Sequence, residues 1–340
     1  MCFVGLVIGV FGSIAAGNEA YKNCHQWLSP PDPSTNYNNA STLHHEGTAA
    51  WFIYSETFEK WKANGSLLWI YGKRMLLAIL WIFAFADGFI LQRVPVRVCS
   101  GACYSSESVS RSSLSSSAII KDIQDLYKTG SDFKLAYFYC DFRDSAKQHA
   151  HGLLSSLIMQ LSAQSTSCHD ITSRFYSAHK EGLEQPKSEV LMECFMKMLC
   201  LPGQDLTYII IDALDECPSS GIPSPREEIL EVVRKLVDSD ISNLHICLTS
   251  RPEPDIHNVL QPMSPCCICL HEERGQVDDM AAYVRWVIDS DPKIRKWRAS
   301  DKALVIETLS QKGCGMWVIL LVHAFDLLMT VKVSMGVLST

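Results

Sequence analysis

Residues 206–217 read LTYIIIDALDEC, and their reading settles the fold class of the chain. The run Tyr208, Ile209, Ile210 and Ile211 has the aromatic and β-branched composition of a strand buried on both faces of a parallel sheet. It ends in three acids, Asp212, Asp215 and Glu216. Burying a carboxylate is costly, so three gathered where a buried strand stops need a purpose. In an open α/β sheet, ligands bind outside the carboxyl ends of the strands. There one carboxylate can hold Mg2+ on nucleotide phosphates while a neighbour polarises a water. The competing reading of the same pattern is a core strand that runs into a solvated acidic turn.

The full string, four apolar residues followed by DALDE, resembles the Walker B segment of the NACHT family of P-loop NTPases. That resemblance implies a metal role for Asp212 and hydrolytic roles for Asp215 and Glu216, with Mg2+ and ATP or GTP as cofactors. Other segments carry it too. Residues 136–161, AYFYCDFRDSAKQHAHGLLSSLIMQL, are similar to the second-strand segment of the fungal, nephrocystin-like branch of that family. Their Leu153, Leu154, Leu157, Ile158 and Leu161 recur at the spacing of a helix face turned to a core; Asp141 reads as part of that core segment or as a residue facing the nucleotide. Residues 244–252, LHICLTSRP, read as a buried strand that places Arg251 at the sheet's carboxyl edge. A guanidinium there can sense a terminal phosphate, as the sensor 1 arginine does in the family it resembles, or it can pair with the acids of the preceding strand.

A phosphate-binding loop needs GxxxxGK[ST]. Its glycines let backbone N–H groups close around phosphate, its lysine neutralises charge, and its hydroxyl meets Mg2+. No such string occurs in the sequence. The expected strand is present at residues 67–71, LLWIY, and Gly72 and Lys73 open a loop. Residues 74–113 then run apolar and afterwards Ser-rich, without a sustained period. Counting back from the helix read at residues 114–124, Ser110, Arg111 and Ser112 stand where GKS would, and Ser105 stands at the leading glycine. A charge and a hydroxyl survive, but both glycines are lost, and side chains there obstruct the approach of phosphate. Three readings stay open: sequence from a retained intron or shifted frame, an insertion that leaves a pseudo-NTPase, and a working divergent loop.

The chain has 340 residues, 47% of them hydrophobic, enough for more than one domain and a sizeable core. A net charge of −7 argues against nonspecific nucleic-acid binding. The 14 cysteines are scattered among apolar residues, and no second CxxC or His pair accompanies Cys266, Cys267 and Cys269 at zinc spacing. Reduced thiols in a cytoplasmic protein are the expectation. Apolar residues 2–16 lack the positive flank of a signal peptide, and residues 75–91 are short for a span and carry Asp87, so a membrane role is disfavoured.

Residues 25–40, HQWLSPPDPSTNYNNA, read as a Pro- and Asn-rich connector unsuited to helix or strand, followed by a short helix capped at Ser55. Both resemble the lead-in of fungal NACHT modules. The expected organisation is an apolar leader (1–24), a lead-in (25–66), an NTPase-like core (67–270), a small helical subdomain (271–316, with helices at 277–288 and 297–309) and a divergent tail (317–340). The resemblance further leads one to expect a truncated chain. The predicted fold is α/β: a doubly wound, parallel, five-stranded sheet followed by a small helical bundle. The function implied is a nucleotide-binding signalling switch of the STAND type, weakened by the missing loop, with protein partners and self-association. The alternative is a catalytically silent scaffold, or a fragment retaining only the fold.

Overall fold

The structure, a computed structural model, describes residues 19–43, 53–72, 111–128, 132–203 and 205–270, with short pieces between 285 and 307. The chain divides into two compact units, Met1–Gly72 with Ser112–Leu270, and Lys73–Arg111 with His271–Thr340. Expectations for the leader at 1–16, for residues 74–110 and for the tail lie outside the described residues, and those for the helices at 277–288 and 297–309 lie almost wholly outside them. Among the described residues no helix is long and apolar enough to cross a membrane.

In chain order the first unit holds α1 (Glu19–Leu28), α2 (Ser34–Leu43), α3 (Glu56–Asn64), β1 (Ser66–Tyr71), α4 (Arg111–Lys128, from its second residue on), β2 (Phe133–Tyr139), α5 (Ala150–Gln164), α6 (Thr166–Ala178) and α7 (Ser188–Leu199). It continues with β3 (Leu206–Asp212), α8 (Pro225–Asp238), β4 (Leu244–Ser250), α9 (Pro254–Met263) and β5 (Cys266–Cys269). The strands form one five-stranded sheet in the order β2-β3-β4-β1-β5, and every pairing is parallel. All of β2 and β4, and β3 after Leu206, are buried. That is the pattern expected of strands covered by helices on both faces.

Alternate residues serve two cores. Trp69, Phe138, Ile209, Ile211 and Leu248 pack with α5, α7 and α8 on one face. Leu68, Ile70, Tyr137, Tyr139, Ile210 and Cys247 pack with Phe58 and Trp61 of α3 and Ile119, Ile120 and Ile123 of α4 on the other. Ser55 caps α3 by accepting from the Phe58 N–H, as the sequence predicts. The Trp61 Nε1–H, buried in that second core, donates to the carbonyls of Ser66 and Ile246, which ties α3 to β1 and β4.

The lead-in departs from expectation. Residues 25–40, read as a connector unsuited to helix, contain the end of α1 and most of α2. The physical reason is local. Asp32 accepts from the Ser34 N–H and from the hydroxyls of Ser34 and Thr35, which satisfies the opening of α2. Cys24, Trp27 and Leu28 give α1 an apolar stripe that joins the core. In the segment read at residues 136–161, the strand stops at Tyr139. Beyond it, Asp141 and Phe142 turn into loop interactions rather than a ladder.

The outer edge of β2 is closed by side chains. Gln164 of α5 accepts from the Leu135 N–H at 2.9 Å and donates to the Leu135 carbonyl at 2.7 Å. One turn earlier, Gln160 accepts from the Tyr137 N–H at 3.0 Å and donates to its carbonyl at 2.8 Å. Each amide imitates one residue of a neighbouring strand, and so removes an edge that would otherwise invite pairing. Replacing Gln160 and Gln164 together by Leu is expected to lower stability by about 1–3 kcal/mol per orphaned pair and to cause concentration-dependent self-association. Urea denaturation and sedimentation velocity check the two effects. At Gly152 in the same helix, an added Cβ would lie 1.9 Å from the Ala146 carbonyl oxygen. Gly152→Ala is expected to cost about 2–3 kcal/mol or more, again measured by urea denaturation.

Candidate functional site at the carboxyl rim of the sheet

Asp212 is the last residue of β3, buried at 1% exposure. Its Oδ1 accepts from the Thr249 hydroxyl at 2.5 Å and from the Ser116 hydroxyl at 2.6 Å. Thr249 comes from the end of β4 and Ser116 from the first turns of α4, so two neighbouring elements converge on one oxygen. The same Thr249 Oγ1 accepts from the Ala213 N–H at 2.9 Å. Ala213 has φ 57° and ψ 44°, a left-handed conformation that alanine adopts only under constraint. This reversal throws the chain into the 3-10 turn Leu214–Glu216 and returns Asp215 and Glu216 to the rim.

Asp215 is fastened on both sides. Its Oδ1 accepts from the Arg251 N–H at 2.9 Å, and its Oδ2 pairs with Arg251 Nε at 3.1 Å. Its carbonyl accepts from Arg226 Nη2 at 2.7 Å, and the Cys217 carbonyl accepts from Arg226 Nε at 3.0 Å. Arg226, buried at the start of α8, also reaches Glu253 Oε2 at 2.7 Å and Asp255 Oδ2 at 3.0 Å. A buried guanidinium is tolerated because its donors are matched. Its neighbour Ser224 forms a capping box with Glu227, which fixes where the helix begins.

Glu216 sits against the loop after β2, where the Phe142 N–H donates to its Oε2 at 3.3 Å. Burial pushes the Glu216 carboxyl up. The Phe142 N–H opposes this, the charges of Asp212, Asp215 and Asp141 add to it, and the result is about 8. Asp141 goes the other way: burial raises it, but bonds from Arg143 and Asn36 outweigh burial and hold it below the ordinary range. Its carboxylate accepts from Arg143 Nε and Nη2 and from Asn36.

Of the residues read from the sequence, the structure gathers Asp212, Asp215, Glu216 and Arg251 at one rim. Gly72 stands close by. Its N–H donates to the Ser250 carbonyl at 3.4 Å, and Ile70 of β1 is in register with Thr249. The ends of β1 and β3 flank β4 on either side, roughly 10 Å apart by ordinary strand spacing. Arg251 takes the pairing alternative in this structure, with Asp215 as its partner. Lys73 lies outside the described residues, and Arg111 and Ser112 open α4 with only their backbone described. Sequence reasoning missed three residues. Ser116 was legible only as one of several serines in LSSSA, and the hydroxyl of Thr249 was passed over for the arginine two residues on. Arg226 had no signal beyond a charge near a helix start.

Five parallel strands in this order, helices on both faces and acids at the carboxyl rim define an α/β fold of the P-loop NTPase type. Residues 108–251, which run from just before α4 to Arg251, match the family model described as Nephrocystin 3, N-terminal. Over 141 residues the chain is 33% identical to vegetative incompatibility protein HET-E-1 of Podospora anserina, which takes in 41% of this chain and 10% of that protein. The chain thus spans about a tenth of the curated relative's length, and the matched segment is similar to the nephrocystin-type N-terminal module and to part of that fungal protein.

The raised Glu216 carboxyl sets a pH dependence. From the ordinary carboxyl range up to about 8, the folded protein keeps a proton that the unfolded chain has released, so stability falls as pH rises through that window. Glu216→Gln is expected to flatten this slope and to gain most over the natural protein above pH 8, measured as melting temperature between pH 5 and 9.

Proposed function

We propose that the first unit is the switch module of a NACHT-type signalling protein, built to read a Mg2+-bound nucleoside triphosphate at the β3–β4 rim. In this chain its affinity for nucleotide is low. The observation that carries the reading is the double hydroxyl clasp on Asp212. A buried carboxylate held by Ser116 and Thr249 at a strand's carboxyl end is an arrangement of hard oxygen donors suited to Mg2+. Asp212, with these hydroxyls, would hold the metal through water, and the metal would supply neutralisation of phosphate charge. Glu216, protonated near neutrality, would take a proton from attacking water only once a bound cation lowered it. Arg251 would leave Asp215 for a terminal phosphate, exchanging one anionic partner for another.

Low affinity follows from the loop. Ser105 and Ser110 stand where glycines are needed, and a side chain at either keeps backbone N–H groups from closing on phosphate. The name of the Podospora relative, a vegetative incompatibility protein, favours a signalling role with protein partners. A silent scaffold is the second reading, favoured by the Asp215–Arg251 pair, which holds the rim together without any ligand.

Titration calorimetry with MgADP and MgATP separates the two. The chain is expected to bind in the millimolar range or weaker, whereas the triple variant Ser105→Gly, Ser110→Gly, Arg111→Lys, which restores GxxxxGKS, is expected to bind about tenfold tighter or more. Adding Asp212→Ala to that variant should abolish the gain. A restored loop that gains nothing would leave the scaffold reading standing.

A further inference from the structure

The acidic rim is tied to the lead-in by a chain of polar contacts that the nucleotide reading does not use. Asn36 of α2 is the first link, and both ends of its amide are engaged. Its Oδ1 accepts from Lys147 Nζ at 2.6 Å, and its Nδ2 donates to Asp141 Oδ2 at 3.2 Å. Lys147 and Asp141 are both buried, at 6% exposure each. Asn36 therefore bridges a buried cation and a buried anion: its loss takes the amide acceptor from Lys147 and one donor from Asp141, which keeps its bonds from Arg143.

The second link is the loop that these residues belong to. Gln148 Nε2 donates to the carbonyls of Asp141 and Phe142 at 3.2 and 2.8 Å. Asp144 accepts from the Ala146 N–H and caps the 3-10 turn Ser145–Lys147. That turn lies against Gly152 of α5, where no side chain fits. The loop is thus a braced arch with one foot on Asn36. Its outward product is the Phe142 N–H, which donates to Glu216 Oε2. Every member of the chain, from Asn36 to Glu216, lies in the first unit.

We infer that Asn36 is a positioning residue for Glu216: docking of α2 through its amide sets the arch that presents the Phe142 N–H to the acidic rim. A force or partner that lifts the lead-in from the core would then reach the rim without touching it. The inference rests on the proposed function only in giving Glu216 importance, since the mechanical link is read without nucleotide.

The test is amide hydrogen exchange on the full chain, followed in peptides covering 141–148, 213–217 and 244–250. Asn36→Ala is expected to speed exchange roughly fivefold or more in the first two, with β4 in the third unchanged. Thr35→Ala, on the same helix and with its hydroxyl donating to Asp32, should leave 141–148 and 213–217 as they are. Should Asn36→Ala raise exchange in all three peptides alike, the milder Lys147→Met decides, because it removes one foot of the bridge and keeps the Asn36–Asp141 bond. Acceleration at 213–217 in that variant supports the link. Acceleration confined to 141–148, or none, overturns it. A failure of the calorimetric test with these results intact would remove the nucleotide reading and leave the positioning role in place.

Discussion

The rim depends on one hydroxyl. Thr249 donates to the buried Asp212 carboxylate and accepts from the Ala213 N–H, so a single side chain both satisfies the acid and holds the left-handed residue that turns the chain away from the sheet. Without it the carboxylate would lose one of its two clasping hydroxyls, and the strained alanine would lose its anchor. The register makes this possible: Ile211 of β3 pairs with Leu248 of β4, which brings the next residue on each strand side by side. A parallel sheet with helices on both faces supplies the dry surroundings in which such a short hydroxyl–carboxylate contact matters.

Two arginines then divide the acidic turn between them. Arg226 holds its backbone, through the carbonyls of Asp215 and Cys217, and Arg251 holds its Asp215 side chain. The division has a physical logic. Carbonyls anchored by a buried guanidinium with further carboxylate partners give a fixed frame, while a half-exposed guanidinium on a side chain can exchange partners as charge arrives. Glu216, in the same turn, is buried beside the charges of Asp212, Asp215 and Asp141, and its carboxyl rises for that reason.

Much of this was legible in the sequence, for reasons that differ by element. The apolar runs at 67–71, 206–212 and 244–250 announced buried strands because every residue of a doubly covered strand must be apolar or matched, and the structure places β1, β3 and β4 there. Ser55 was legible because a cap hydroxyl before an amphipathic stretch has a fixed geometry. The helix at 34–43 was hidden, because proline and asparagine content argues for a loop unless one sees that Asp32 satisfies the helix opening. The rim itself was half legible. Three acids after a strand declare an ionic site, but the hydroxyls that clasp them come from α4 and β4, and only the fold brings those distant residues to one oxygen.

The glutamines along β2 carry one more implication, for mechanics. Most sheets end where strands run out; this one ends where a helix impersonates the next strand. Gln160 and Gln164 bolt α5 to β2 through both the donors and the acceptors of Leu135 and Tyr137. Sliding that helix by even one residue would break every bolt together. Any shearing within this unit must therefore run along another seam, with α5 and the sheet travelling as one plate.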